Sequence, residues 1–375
     1  MESDDSVNLS ISEMWFPDVV VLGPGGAKGY LELGALLKFE QENYFKNVTE
    51  WTGCSIGAAI ALLIVIGYSI TDIINDCINV NIINDITDIN LEGISERPGI
   101  LNNKTVENML KDRLRRKCGI VPTLKQLYMT TGILFTTVSF NLDKMRSEYQ
   151  SKDTEPNLSS VEAVMMSMAI PILIRPRRYR GHIYIDGAIG DPYPILIHDN
   201  GEKNILGIYI DSEHSSHSSD RKALRYLYRC GQASMQILRE NNIKFSSEKC
   251  RHLSLNTPVV DSTGLTLTGE SKKNMIDSGY RSASLFLFRI KYPERAKILL
   301  DENEEIPVES EDIENIGVLN RETADILDMI SNDSQLAFDD DGSDEDLYVS
   351  DIDGDTLIIP ITPEFRRNIE RVKFR

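Results

Sequence analysis

Basic residues are in deficit: 40 Lys and Arg stand against 58 Asp and Glu, a net charge of −18 over 375 residues. That shortage excludes a general nucleic-acid binder, whose phosphate contacts require cations. Cysteine is scarce and odd in number (Cys54, Cys77, Cys118, Cys230, Cys250), with no CxxC pair. A disulfide scaffold and a zinc knuckle are thereby disfavoured, and free thiols in a reducing compartment are expected. Long apolar runs are missing. The longest, Ile56 to Ile66, is about half of the roughly 20 residues a membrane span needs. Aromatic residues make up only 7%, but apolar residues reach 41%, enough in a chain this long to bury a core. Met1-Glu2-Ser3-Asp4-Asp5 has none of the positive charge that opens a secretory leader, so a soluble cytoplasmic protein is expected.

The deficit of basic residues is local. Residues 301–355 hold 21 carboxylates and one basic residue, Arg321, for −20. Residues 356–375 hold five basic and two acidic residues, for +3, so residues 1–300 carry only −1. The domain reading follows: a polar lead-in over 1–17, a catalytic domain over 18–300, an acidic, partly disordered segment over 301–355 and a basic terminus over 356–375. Ile313–Ile330 has helical apolar spacing, whereas Phe338–Asp355 reads as a solvated linker. Phe365, Ile369 and Val372 would share one face of a terminal amphipathic helix able to touch anionic lipid or the acidic stretch. Through that stretch the chain could also engage a protein partner.

Within residues 18–300 the pattern alternates between strand and helix. Asp18–Gly23 reads as a buried parallel strand, followed by a glycine-rich turn and a helix through Phe39. Glu50–Cys54 is a second short strand, and Ala58–Ile66 a second buried helix. Further strands are predicted at 133–140, 182–185, 206–210 and 252–256, and helices at 105–117, 160–168, 221–240 and 271–288. Strand, glycine turn and helix in succession predict an α/β protein built on a covered parallel sheet.

Two of those turns carry candidate chemistry. Gly53-Cys54-Ser55-Ile56-Gly57 is a G-x-S-x-G motif between strand and helix. There a serine sits on a sharp turn and small flanking residues let the backbones pass. Ser55 would project at a helix N-terminus, where developing negative charge is favoured. Upstream, Pro24-Gly25-Gly26-Ala27-Lys28-Gly29 offers several backbone N–H groups to an anion, as a phosphate cradle or an oxyanion hole. The Walker pattern fails because Ala27 precedes Lys28 and Tyr30 is no Mg²⁺ ligand. A serine nucleophile also needs a base. Asp186 ends a strand and is followed by Gly187, which permits a turn. A Ser55–Asp186–His252 triad in α/β-hydrolase order is conceivable, although that fold places more strands before its serine. His214 and His217 read as a surface pair. The acidic tail fails the EF-hand register at both Gly342 and Gly354. No metal or cofactor is expected.

Taken in order, these motifs resemble the patatin-like phospholipase family. The family's glycine-rich oxyanion loop corresponds to residues 24–29, its G-x-S-x-G to residues 53–57, and its Asp-Gly-Gly/Ala to Asp186-Gly187-Ala188. Ser167-Met-Ala-Ile-Pro171, Pro194 and Gly132–Asn141 also look similar, and the likeness covers about residues 18–290. One departure is Pro24, which stands where the loop has its first glycine and has no N–H to donate. The resemblance implies a three-layer α/β/α fold with a mostly parallel central sheet. It also implies a Ser55–Asp186 dyad acting on acyl esters of lipids, with peripheral membrane contact. The amides of Gly25, Gly26 and Ala27 would form the oxyanion hole, supported by Lys28, Gly53, Gly57 and Gly187. A catalytically weak lipid-surface or protein-interaction module is the alternative.

Overall fold

The computed structural model describes residues 15–79, 103–171, 173–211, 222–256, 268–293, 346–350 and 356–360. The chain divides into two units, residues 1–317 and 318–375. In the first, β1 (Val19–Leu22), β2 (Glu50–Cys54), β3 (Leu134–Asn141), β7 (Ile205–Asp211) and β8 (Cys250–Asn256) lie parallel in the order β3-β2-β1-β7-β8. All four residues of β1 are buried, as a strand covered on both faces requires. Its side chains alternate: Val20 and Leu22 join the main core, while Val19 and Val21 join a smaller cluster with Tyr193, Ile195 and Ile205.

Helices α1 (Gly29–Gln41), α2 (Ile56–Val65), α4 (Lys104–Cys118), α6 (Ser160–Ser167) and α8 (Gly269–Lys291) contribute to the main core, with α3 (Ile70–Asn79) beside α1. Residues Ala188–Ile195 and helix α7 (Lys222–Phe245), through Met235 and Ile243, cover the other face. The result is the expected three-layer α/β/α arrangement. Helices α1 and α8 touch backbone to backbone. A Cβ on Gly34 would overlap the Ile276 carbonyl, and one on Gly279 would overlap the Leu31 carbonyl. Neither carbonyl can swing aside as a side chain would. Gly279→Ala is therefore expected to cost about 1–3 kcal/mol or more through forced separation of the helices. Urea unfolding measures this, and an unchanged midpoint would contradict the close crossing.

The parallel pattern does not extend to the whole sheet. Strand β4 (Arg146–Gln150) forms an antiparallel hairpin with β3, and β5 (Arg177–Tyr179) forms one with β6 (His182–Asp186). These edge strands are short or polar, so β4 and β5 leave little trace in the hydrophobic pattern. Helix α5 (Leu124–Thr131) also escapes that pattern, although its capping box was legible: Thr123 and Gln126 satisfy each other's backbone N–H groups.

In the second unit, β9 (Asp346–Ser350) and β10 (Thr356–Pro360) pair antiparallel. A strand thus forms within 338–355, read from composition as a linker, because Leu347, Tyr348 and Val349 supply a short β-prone run opposite Leu357–Ile359. The amphipathic face of Phe365, Ile369 and Val372, the helical spacing of 313–330, and the His214–His217 pair lie outside the described residues.

Candidate active site

The register of β3 brings the two principal candidates together. Strand β2 pairs with Leu134–Val138, and β6, running the opposite way, pairs with Ser139–Asn141. Both occupy the same edge of β3, because β4 takes the other edge over Thr137–Asn141. The C-terminal ends of β2 and β6 therefore meet head to head, Cys54 opposite Val138 and Asp186 opposite Ser139. Ser55, one residue past β2, donates its Oγ–H to Asp186 Oδ2 at 2.6 Å, a short charge-assisted hydrogen bond.

Ser55 sits at φ +55°, ψ −123°, a conformation that L-residues rarely adopt, immediately before α2. Local packing enforces it. A Cβ on Gly57 would lie 2.5 Å from the Gly23 carbonyl, and one on Gly53 would overlap the backbone of Ala58. The turn is so tight that larger residues at either flank would push the helix off the sheet. The end of α6 supports both groups through their backbones. Ser55 N–H donates to Ser167 Oγ at 2.9 Å, and Asp186 N–H donates to the Ala169 carbonyl at 2.9 Å. Ser167 thus has a positioning contact that no spacing argument singled out, although its segment belonged to the sequence resemblance.

Asp186 is 3% exposed, as is Ser55. Burial drives the Asp186 carboxyl up from 3.8 to about 6, against the lowering pull of the Ser55 hydroxyl and the Ala188 N–H on the charged form. Ala188 N–H reaches Oδ1 at 2.9 Å, so each carboxylate oxygen has a donor. Gly187 packs where a Cβ would overlap the Val138 carbonyl. Cys54, adjacent to the serine, is fully buried, and burial raises its thiol well above the ordinary range, which makes it unreactive.

The glycine-rich loop lies over the same turn. Gly25 precedes a 3-10 turn, Gly26–Lys28, which runs directly into α1. Gly26 has φ +54°, a left-handed conformation suited to glycine, and is exposed, while Gly25 and Ala27 are half-buried. A Cβ on Gly29, where the loop enters α1, would stand 2.9 Å from Ile56 Cγ1, so the loop packs against the residue after Ser55. Backbone N–H groups at the start of such a helical stretch have no acceptor within it. Burial lowers the ammonium pKa of Lys28.

His252 does not join Ser55. Strand β8 is three positions from β2, and the His252 ring lies between Tyr193 Oη and Ser246 Oγ, each at 3.0 Å. His198 is committed elsewhere, 2.6 Å from Thr52 Oγ1 and 3.0 Å from Glu50. A second carboxylate, Asp191, accepts from Tyr149 Oη at 2.7 Å and from Asn242 of α7 at 2.8 Å. Its N–H donates to the Gly187 carbonyl at 2.9 Å, so it braces the turn that follows Asp186. The sequence held no signal for it beyond its place five residues downstream.

Fold and geometry together define a class: an α/β/α protein with a buried serine at a strand–helix elbow beneath a glycine-rich loop. Residues 20–198 match the model of the patatin-like phospholipase family. It is 26% identical over 198 residues to "Probable lipid hydrolase 463L" of Invertebrate iridescent virus 6, an alignment covering 51% of this chain and 66% of the relative. It is 28% identical over 209 residues to an uncharacterized protein of Acanthamoeba polyphaga mimivirus, covering 55% and 69%. The chain thus spans about two thirds of each relative's length. Among solved structures, VipD from Legionella pneumophila aligns with TM-score 0.48 at 16% identity, over 88% of this chain and 83% of that one. The type III effector ExoU aligns with TM-score 0.43 at 14% identity, over 85% and 62%. No described helix is long and apolar enough to cross a membrane.

Proposed function

We propose that the protein is a serine lipid acyl hydrolase of phospholipase A type, working through a Ser55–Asp186 dyad. The observation that carries this reading is the 2.6 Å hydrogen bond from Ser55 Oγ to a buried carboxylate, at the end of a strand pair adjoining an amide-rich loop. The match of residues 20–198 to the patatin-like phospholipase family model supports acyl esters of phospholipids as the substrate class.

In this mechanism Ser55 Oγ attacks the ester carbonyl carbon while Asp186 Oδ2 takes the hydroxyl proton. The carbonyl π electrons move to oxygen, and the N–H groups of Gly25, Gly26 and Ala27 receive the oxyanion, with Lys28 adding positive charge nearby. Collapse breaks the bond to the alcohol oxygen, which leaves with the proton held by Asp186. Asp186 then removes a proton from water, whose oxygen attacks the acyl-serine. A second collapse frees the fatty acid and returns the proton to Ser55. The two carboxylate oxygens have separate roles, since Oδ1 is held by Ala188 N–H and Oδ2 is left to exchange the proton.

The test is a fluorophosphonate probe, combined with product analysis on phospholipids and neutral acylglycerols. The expected result is a covalent adduct on Ser55 and release of fatty acid with the matching lysophospholipid. Probe labelling without acyl release from any lipid would reject the lipid assignment. Absence of labelling together with acyl release would reject Ser55.

A further inference from the structure

Two hairpin turns stand beyond the serine at the same end of the sheet. Strand β3 continues three residues past Val138, the partner of Cys54, before it turns at Leu142–Met145 into β4. At about 3.3 Å per residue, that turn projects about 10 Å beyond the level of the serine. Strand β6 begins alongside it, so the Arg180–Gly181 turn between β5 and β6 flanks the first.

Both turns are held firmly. Asn141 Oδ1 accepts from the N–H groups of Asp143 and Lys144, each at 3.1 Å, and Asp143 Oδ2 accepts from Ile183 N–H at 2.7 Å. Leu142 N–H donates to the Ile183 carbonyl at 2.9 Å. Yet two side chains of the first turn are apolar and face outward. Met145 is 72% exposed at a backbone φ of +49°, and Leu142 is 38% exposed. Ile189, 37% exposed, belongs to the turn after Asp186, which packs on this hairpin: a Cβ on Gly190 would overlap Ser147 Oγ. Nothing in the fold requires a methionine at a rigid, solvent-facing tip.

Charge is layered around these residues. Arg146 and Arg180 have side chains 64% and 60% exposed, Arg178 is also exposed, and Lys144 is 39% exposed. Their partners Glu148 and Glu155 lie deeper, at 19% and 23%. Asp143, the remaining acid, is 45% exposed, is tied to Ile183 N–H and lies beside His182. Arg146 and Arg180 are therefore more exposed than any carboxylate of these turns, on a region, residues 1–300, whose net charge is only −1.

We propose that the paired β3–β4 and β5–β6 turns are the surface by which the protein docks on an anionic phospholipid bilayer. Met145, Leu142 and Ile189 enter the headgroup boundary, and Arg146, Arg178 and Arg180 contact lipid phosphates. Docking here would turn the sheet end that carries Ser55 toward the membrane. The inference rests on the membrane-lipid substrate proposed above, but its test requires no turnover.

Full-length Ser55→Ala protein is sedimented with vesicles of equal phosphatidylcholine and phosphatidylserine, and with phosphatidylcholine alone. Leu142→Ser/Met145→Asn, in which asparagine suits the left-handed backbone, is expected to weaken binding to the mixed vesicles at least about tenfold. Arg146→Gln/Arg178→Gln/Arg180→Asn is expected to weaken it by about a hundredfold and to abolish the preference for phosphatidylserine. The same substitutions in the Ser55 background should leave fluorophosphonate labelling and the unfolding midpoint unchanged, which separates docking from folding. Parental sedimentation of either folded variant, or parent protein that binds neither vesicle, overturns the proposal. Rim-dependent binding by a protein that hydrolyses no lipid would leave docking intact and reject the enzymatic reading alone.

Discussion

Ser55→Ala is expected to lower phospholipid hydrolysis by about a thousandfold or more, the scale on which removal of a nucleophile acts when other site groups remain. The fold should survive. Ser55 N–H, not its hydroxyl, makes the bond to Ser167 Oγ, and that contact persists in alanine. The left-handed backbone at φ +55° is already occupied by a non-glycine residue, so alanine adds no new strain class. Asp186 loses the donor on Oδ2, but Ala188 N–H still serves Oδ1. Measured acyl release and a thermal midpoint, taken together, decide the matter. Activity close to that of the parent would remove Ser55 from the chemistry.

Asp186→Asn should produce a loss of similar order by a different route, since an amide of nearly the same shape keeps an acceptor for Ala188 N–H but takes no proton. It also has a pH signature. The Asp186 carboxyl is raised from 3.8 to about 6, and the mechanism needs it ionised. Hydrolysis by the parent should therefore rise with pH through about 6 and fall away below it. Stability runs the other way. Between about pH 4 and 6 the folded protein holds a proton that the unfolded chain has released, so stability declines as pH rises through that window. Asp186→Asn escapes this cost and should gain up to about 3 kcal/mol over the parent at pH 7, with no advantage below pH 4. A pH–rate profile with no break near 6, or a variant whose advantage over the parent is no larger at pH 7 than at pH 4, would argue against a proton-accepting Asp186. Loss of activity accompanied by a gain in stability is the expected pattern for a strained, desolvated site.

The approach of these two residues shows where sequence reasoning succeeds and where it stops. Residues 53–57 declared a tight strand–helix turn because only small flanks fit there, and the structure shows Gly57 against the Gly23 carbonyl. The parallel strands β1 and β2 were legible as short β-branched or apolar runs before glycine, which places both turns at one end of the sheet. Asp186 was recognisable by its place in an ordered set of motifs and by the glycine after it. Its partner was not derivable from periodicity: a distance of 131 residues in sequence closes to a hydrogen bond only because β6 runs backward along the edge of β3 that β2 vacates. The competing triad was already disfavoured by the few strands that precede the serine, and strand order then separated His252 from Ser55.

Composition alone determined that the deficit of basic residues belongs to residues 301–355 and that residues 1–300 are nearly neutral, because charge is a sum over residues and needs no coordinates. Local pattern likewise determined the alternating α/β class and the two glycine turns, since these depend on neighbours in the chain. Tertiary structure alone decided which carboxylate meets the serine, how far burial lifts its pKa, and where cations and exposed methionine gather beside the site. Each of those depends on residues far apart in sequence, and on desolvation, which exists only once the chain has closed around them.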